Sequence, residues 1–214
     1  MEQTDIWSIN PSTSATFFKT AATVTGGVYP QALVLTNTNP VVAKEGAGYK
    51  VIITSAGDDR TANFTINGAI VGQLTEQGQV PNPNNPEVLA GGNAGAVTSA
   101  YFYSRIDSIT ISKAAAGTVA VGTTGDLALP RCRIKGFYVL GDAGAGSLKI
   151  NRFSYTTSAY PTVAVESLLD ITTPAGATLT QFLSLPGQGI LTGQQHNDFA
   201  VVTLDGADYS LFCG

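Results

Sequence analysis

The chain has 214 residues and only 12% of them are charged, 11 Lys and Arg against 15 Asp and Glu, for a net charge of −4. A hydrophobic fraction of 43% with so little charge excludes an intrinsically disordered chain. The bases are scattered and form no patch that would release counterions from a phosphate backbone, which excludes nucleic acid as an electrostatic partner.

Residues 1–45 are rich in Thr, Ser and Asn, with apolar islands at Trp7–Ile9, Ala15–Phe18 and Ala32–Thr36. Two readings fit this region: an extended arm that adds a strand to the body or to a neighbouring subunit, or an ordinary first pair of strands. The opening "MEQTDIWSINPSTSATFF" lacks a basic n-region and a long apolar core. No run reaches the ~18 uninterrupted apolar residues of a membrane span. The expectation is a soluble chain made in a cytoplasm, with no membrane partner.

From Tyr49 onward the dominant period is two. Tyr49–Gly57, Ala62–Leu74 and Asp107–Ser112 alternate β-branched or aromatic residues with polar ones and are bounded by Gly, Asp and Asn. Between the second and third of these, Gly78–Gly95 packs three Pro and four Asn into a stretch that reads as a long surface loop. Strand material resumes at "AVTSAYFYSRI". The chain divides softly at Pro130, giving a first module over 46–129 and a C-terminal module over 130–214. After that break come Arg133–Gly141, Gly146–Tyr155, Thr162–Ile171, Thr180–Gly187, Asp198–Gly206 and Tyr209–Gly214. Strand-like runs every roughly 8 to 14 residues have the rhythm of a sandwich or barrel. Val163–Leu169 fits either period, so a short helix stays open there. The predicted fold is all-β, an antiparallel sandwich of jelly-roll-like character, with two small modules and an N-terminal arm.

Chemistry is hard to find. A single histidine, His196, excludes a His-pair metal site and leaves one residue around which a Ser-His-Asp triad would have to be built. "GDAGAGS" (Gly141–Ser147) lacks the Lys-Ser/Thr ending and following helix of a phosphate loop, and reads as a hairpin turn between strands. Asp58 and Asp59 read as turn formers beside Arg60. Asp142, Glu166 and Asp170 read as isolated, and Asp205–Asp208 lacks the spacing of a calcium loop. Asn63 opens a glycosylation sequon, which is expected to stay empty in a chain made in a cytoplasm. Cys132 and Cys213 read either as two buried thiols or as a bridge between strands. The chain therefore reads as a non-enzyme, with no catalytic residues, no cofactor and no metal.

The run Gly91–Pro130 resembles a pattern in virion structural proteins of tailed bacteriophages. The likeness is carried by "NFTING" (Asn63–Gly68), "GAVTSAYF" (Gly95–Phe102), "DSITIS" (Asp107–Ser112) and "GTVAVGTTG" (Gly117–Gly125). Lys135–Ile150, Thr173–Thr178, Leu185–Leu191 and Leu211–Gly214 look like the C-terminal part of such proteins. The first 45 residues and the Pro-Asn loop lie outside the likeness. The resemblance implies a structural subunit of a virion, assembled in the host cytoplasm. Its partners would be other copies of itself and either the major capsid protein or portal and tail proteins. A capsid decoration (cement) protein that stabilises the head is the leading reading, and a head-to-tail connector or tail ring or tube component the alternative. The candidate subunit contacts are Trp7, Phe17, Phe18, Tyr101, Phe102 and Tyr103. A carbohydrate-binding sandwich is the third reading, and it would need exposed aromatics on a polar groove. Alternation predicts that only one face of the Tyr101-Phe102-Tyr103 triplet is buried.

Overall fold

A computed structural model describes residues 5–9, 14–38, 47–71, 86–140, 145–154, 164–173, 181–184, 189–192, 198–205 and 208–213. His196, Asp142 and the Pro-Asn residues 81–85 lie outside the described residues. The chain is all-β, with a sandwich-like antiparallel architecture and no helix among the described residues. Its strands in chain order are β1 (Asp5–Ile9), β2 (Ser14–Thr23), β3 (Gln31–Ala32), β4 (Gly48–Ser55), β5 (Asn63–Ile70) and β6 (Glu87–Ala90). Then follow β7 (Ala96–Ile111), β8 (Thr118–Leu129), β9 (Arg133–Leu140), β10 (Gly146–Ser154) and β11 (Glu166–Thr173). The last four are β12 (Gln181–Ser184), β13 (Ile190–Leu191), β14 (Asp198–Asp205) and β15 (Asp208–Cys213).

Among the described residues the strands form a ten-stranded and a five-stranded sheet. Two long strands organise the larger one. β8 carries β4 along one edge, while its other edge is shared by β2 at residues 118–123 and β14 at residues 127–129. β7 pairs β4 through its first half and β5 through its second. The segment after β3 then bridges β7 and β2. Leu33 N–H donates to the Ile109 carbonyl (2.8 Å) and Thr36 N–H to the Phe18 carbonyl (2.7 Å). Hydrogen bonding thus runs around a ring of β8, β4, β7, the 31–38 segment and β2.

The first core fills this ring. Phe18, Val51, Phe64, Ile66, Tyr103, Ile106, Ile109, Ile111, Val119 and Val121 are all fully buried within it. Burying each large side chain contributes about 1.5 to 3 kcal/mol. A second core lies where β9 of the smaller sheet covers the far end of the larger one, with Ile134 and Phe137 against Leu127, Leu129, Leu148, Ile150 and Val202. Gly122 marks how tightly β2 crosses β8, because a Cβ there would strike the Ser14 carbonyl and the Ala15 backbone.

Three sequence expectations look different in the structure, and a reading left open between strand and helix is decided for the strand. The stretch around Pro130 ends one strand, but β8 runs unbroken through Gly122 and Gly125 and contributes Val119 and Val121 to one core, Leu127 and Leu129 to the other. β6 lies inside the stretch read as a loop, because Glu87 finds buried partners there and Leu89 packs on the first core. β9 and β10 do not form the hairpin expected across Gly141–Ser147, since β9 pairs β12, β13 and β15, whereas β10 pairs β11 and β14 in the other sheet. Two apolar faces that bury against each other across a sandwich beat local pairing here. Glu166–Leu169 belongs to β11 and not to a helix, since β10 supplies its ladder of hydrogen bonds. Residues 1–45 contribute β1, β2 and β3, and each pairs with a strand of the same chain.

Candidate functional site

Of the six residues expected at subunit contacts, four are interior. Phe18 and Tyr103 are fully buried, and Tyr101 and Phe102 nearly so. Phe17 is half-buried and sets its ring edge-on to Phe18, with centroids 5.1 Å apart. Trp7 sits in β1 opposite Leu211 of β15, and its side chain lies outside the described residues. The chain's own core therefore accounts for the burial of Phe18 and the aromatic triplet.

Both faces of the triplet are covered, against the expectation from alternation. Tyr101 and Tyr103 lie edge to face, 6.5 Å apart. Phe102 points the other way, toward Phe199 of β14 (6.3 Å) and beneath the Lys50 ammonium (5.2 Å). β7 also slips against β4 here, so that Lys50 faces Phe102 while Ile52 faces Thr98. That bulge frees backbone groups, and side chains satisfy them. Ser99 Oγ accepts from Val51 N–H (2.8 Å) and donates to the Tyr101 carbonyl (2.7 Å). Glu87 of β6 accepts from Ala100 N–H (2.6 Å) and from the Tyr103 hydroxyl (2.9 Å). Burial pushes the Glu87 carboxyl above its ordinary value of 4.5, opposed by these hydrogen bonds and by Lys50.

Two further buried acids organise the molecule. Asp59 accepts from the Ser55 hydroxyl and from Ala116 N–H (2.7 Å). Its own N–H donates to the Gly92 carbonyl (2.8 Å). It thereby ties together the β4–β5, β6–β7 and β7–β8 turns. Neighbouring Asp58 is exposed and pairs with Arg60 (2.7 Å), whose hydrogen bond lowers it to about 2. In the other half, Arg152 of β10 reaches Asp198 of β14 (3.1 Å) and Glu166 of β11 (2.9 Å). Lys149 pairs with Asp170 in the same register (3.6 Å). Glu166 and Asp170, isolated in sequence, are thus cross-strand partners of β10 bases.

Sequence reasoning missed Glu87, Arg152 and Asp198, since each acts through a residue far along the chain. Cys132 N–H donates to the buried Thr192 hydroxyl (2.7 Å), and Cys213 lies in β15 opposite Ile134 with its side chain outside the described residues. Asn63 is exposed at the start of β5. No group of three or more His, Cys, Asp or Glu that could hold a metal occurs among the described residues, and no helix among them is long and apolar enough to cross a membrane. Asp59, Glu87, Glu166, Asp170 and Asp198 are engaged in holding turns and strands.

Compared with protein-family models, curated proteins and solved structures, the chain finds no significant match in any of the three.

Proposed function

We propose that this chain is a non-enzymatic structural subunit of a tailed-phage virion, a capsid decoration protein that stabilises the head from outside. The observation that supports the reading is the place of the Gly91–Pro130 stretch, whose pattern is similar to such virion proteins. It forms β7 and β8, the two long strands on either side of β4 around which the large sheet and the first core are built. A resemblance seated in the spine of the fold bears on the whole architecture and not on a peripheral turn. A closed, low-charge β body suits a protein whose contacts are its function, made in the host cytoplasm and built into a symmetric shell with copies of itself and the major capsid protein. The acidic net charge and scattered bases fit an outer position better than a lining against packaged DNA.

Immunogold labelling of phage particles purified from the source of the chain tests the proposal. Label scattered over the whole head is the expected result. Label confined to one vertex or along the tail replaces it with the connector or tail-ring reading. Particles that carry no label before or after disruption overturn the virion reading. The carbohydrate-binding alternative loses its aromatic platform, because Tyr101, Phe102 and Tyr103 are buried. A glycan array is expected to show no binding.

A further inference from the structure

β5 contains the chain's one Asn-Gly step, Asn67–Gly68. Glycine has no Cβ to obstruct its backbone nitrogen, so this is the step at which that nitrogen most readily attacks the preceding side-chain amide. Replacement of the glycine is closed to this fold, because a Cβ at Gly68 would lie 2.2 Å from the Arg105 carbonyl oxygen. The close approach that requires Gly68 therefore fixes a reactive bond within a core strand. Two features weaken the strand's hold there. The β5–β7 ladder shifts register between Asn67 and Gly68, which pair with Ser108 and Ile106 and leave Asp107 as the extra residue. β6 covers the other edge of β5 only over Asn63–Ile66, and no strand among the described residues pairs that edge at 67–70. Gly68 is buried, but Asn67 is half-buried, and its amide donates to the Ser108 hydroxyl across 3.2 Å.

An extended backbone keeps the glycine nitrogen out of line with the side-chain carbonyl carbon, so the reaction waits on a local turn of the chain. Such departures are easiest where a ladder is already broken and one edge is bare, well short of global unfolding. We propose that Asn67 is a self-modification site, at which opening of the β5 bulge lets the Gly68 nitrogen displace ammonia from the side-chain amide. The nitrogen bonds to Asn67 Cγ and gives up its proton, the Cγ–Nδ2 bond breaks, and ammonia departs with that proton. Water then adds to either carbonyl of the resulting succinimide and leaves an aspartyl or isoaspartyl residue. The sum is amide plus water to carboxylic acid plus ammonia, with nothing oxidised or reduced. Both products put a carboxylate where a neutral amide met Ser108. The isoaspartyl link also adds a carbon to the backbone of β5 between Ile66 and Ile70, both of which are buried in the first core. This inference does not depend on the virion reading.

Intact-mass measurement and peptide mapping of the purified full chain test it, after incubation at mildly alkaline pH with and without urea. The native chain is expected to lose its amide at Asn67 before any other Asn, and more slowly than the chain unfolded in urea. Ser108→Ala is expected to raise the native rate roughly two- to tenfold, the worth of one hydrogen bond, and to leave the rate in urea unchanged. Ser108→Thr keeps the hydroxyl and is expected to react as wild type does, which separates loss of the hydrogen bond from loss of the fold. Asn67→Gln is expected to lack the modification. A native chain that keeps its amide while the unfolded chain loses it would overturn the inference. So would a native rate equal to the unfolded one, a Ser108→Ala rate equal to that of wild type, or a mass change that persists in Asn67→Gln.

Discussion

Asp59 and Asp198 are almost equally inaccessible, 2% and 1% exposed, yet the two halves of the molecule hold them by different means. Around Asp59 the described hydrogen-bond donors are neutral, and one is the backbone amide of Ala116. At Asp198 one partner is the Arg152 guanidinium, which also grips the half-exposed Glu166. The first arrangement pins three turns to one another. The second joins three neighbouring strands, β11, β10 and β14, across their registers. A backbone donor cannot be mutated away, whereas a charge pair can be exchanged for apolar side chains of similar volume at little cost. The first half is therefore the less replaceable of the two.

Substitutions at the two buried acids and their partners test that contrast. The largest expected effect is that of Arg152→Met, which leaves the Asp198 carboxylate buried without its guanidinium and is expected to cost about 3 to 5 kcal/mol in urea unfolding. Adding Asp198→Leu is expected to recover at least half of the loss. If the double variant stays as unstable as the single one, the ion pair is not exchangeable and the contrast fails. Next comes Asp59→Ala, expected to cost about 3 kcal/mol, because Ala116 N–H and the Ser55 hydroxyl lose their acceptor inside the protein. Here a second substitution at Ser55 is expected to recover little, since the amide remains. Full recovery by Asp59→Leu/Ser55→Ala, read by the same unfolding curves, would show that Asp59 is as replaceable as Asp198.

Glu87→Gln is expected to have a smaller effect and one that depends on pH. The folded carboxyl titrates above its ordinary 4.5, so the native chain retains a proton that the unfolded chain has already released. This contribution to stability is full below that range and is lost as pH rises through it. The Gln variant is expected to flatten that fall in a series of melting temperatures across the carboxylate range. A wild-type profile that rises with pH in this window, and a variant that leaves the profile unchanged, would both count against the burial of Glu87 as its cause. The smallest effect is expected for Asp58→Asn at neutral pH: the Asp58–Arg60 pair is exposed, and the melting temperature should not move measurably.

Much of the architecture is legible from residue pattern. "DSITIS" alternates because one face of it meets a core, and the structure has it as the end of β7; "GTVAVGTTG" falls in β8, which is buried on both faces from Val119 to Thr123. The triplet Tyr101-Phe102-Tyr103 defeats the same rule, since β7 is covered on both faces where β14 and β6 approach it. Periodicity reports how many faces of a strand are wet, and it does not say which elements do the covering. The buried acids illustrate the same limit. Asp59 and Asp58 are adjacent and chemically identical, yet one is sealed among three turns and the other pairs with Arg60 in solvent. Glu87 follows an Asn- and Pro-rich stretch that promises only a loop.

By itself, then, the sequence determined the class of structure: short antiparallel strands punctuated by Gly, Asn and Asp. Strand period and turn chemistry are local properties, encoded within a few residues. Tertiary structure alone decided that β9 and β10 part into different sheets, that the 31–38 segment closes the ring, that Arg152 meets Asp198, and that Val28 and Val34 face outward while Leu33 faces inward. Each of these depends on which apolar faces bury one another over long separations along the chain, and no short window of sequence carries that free energy.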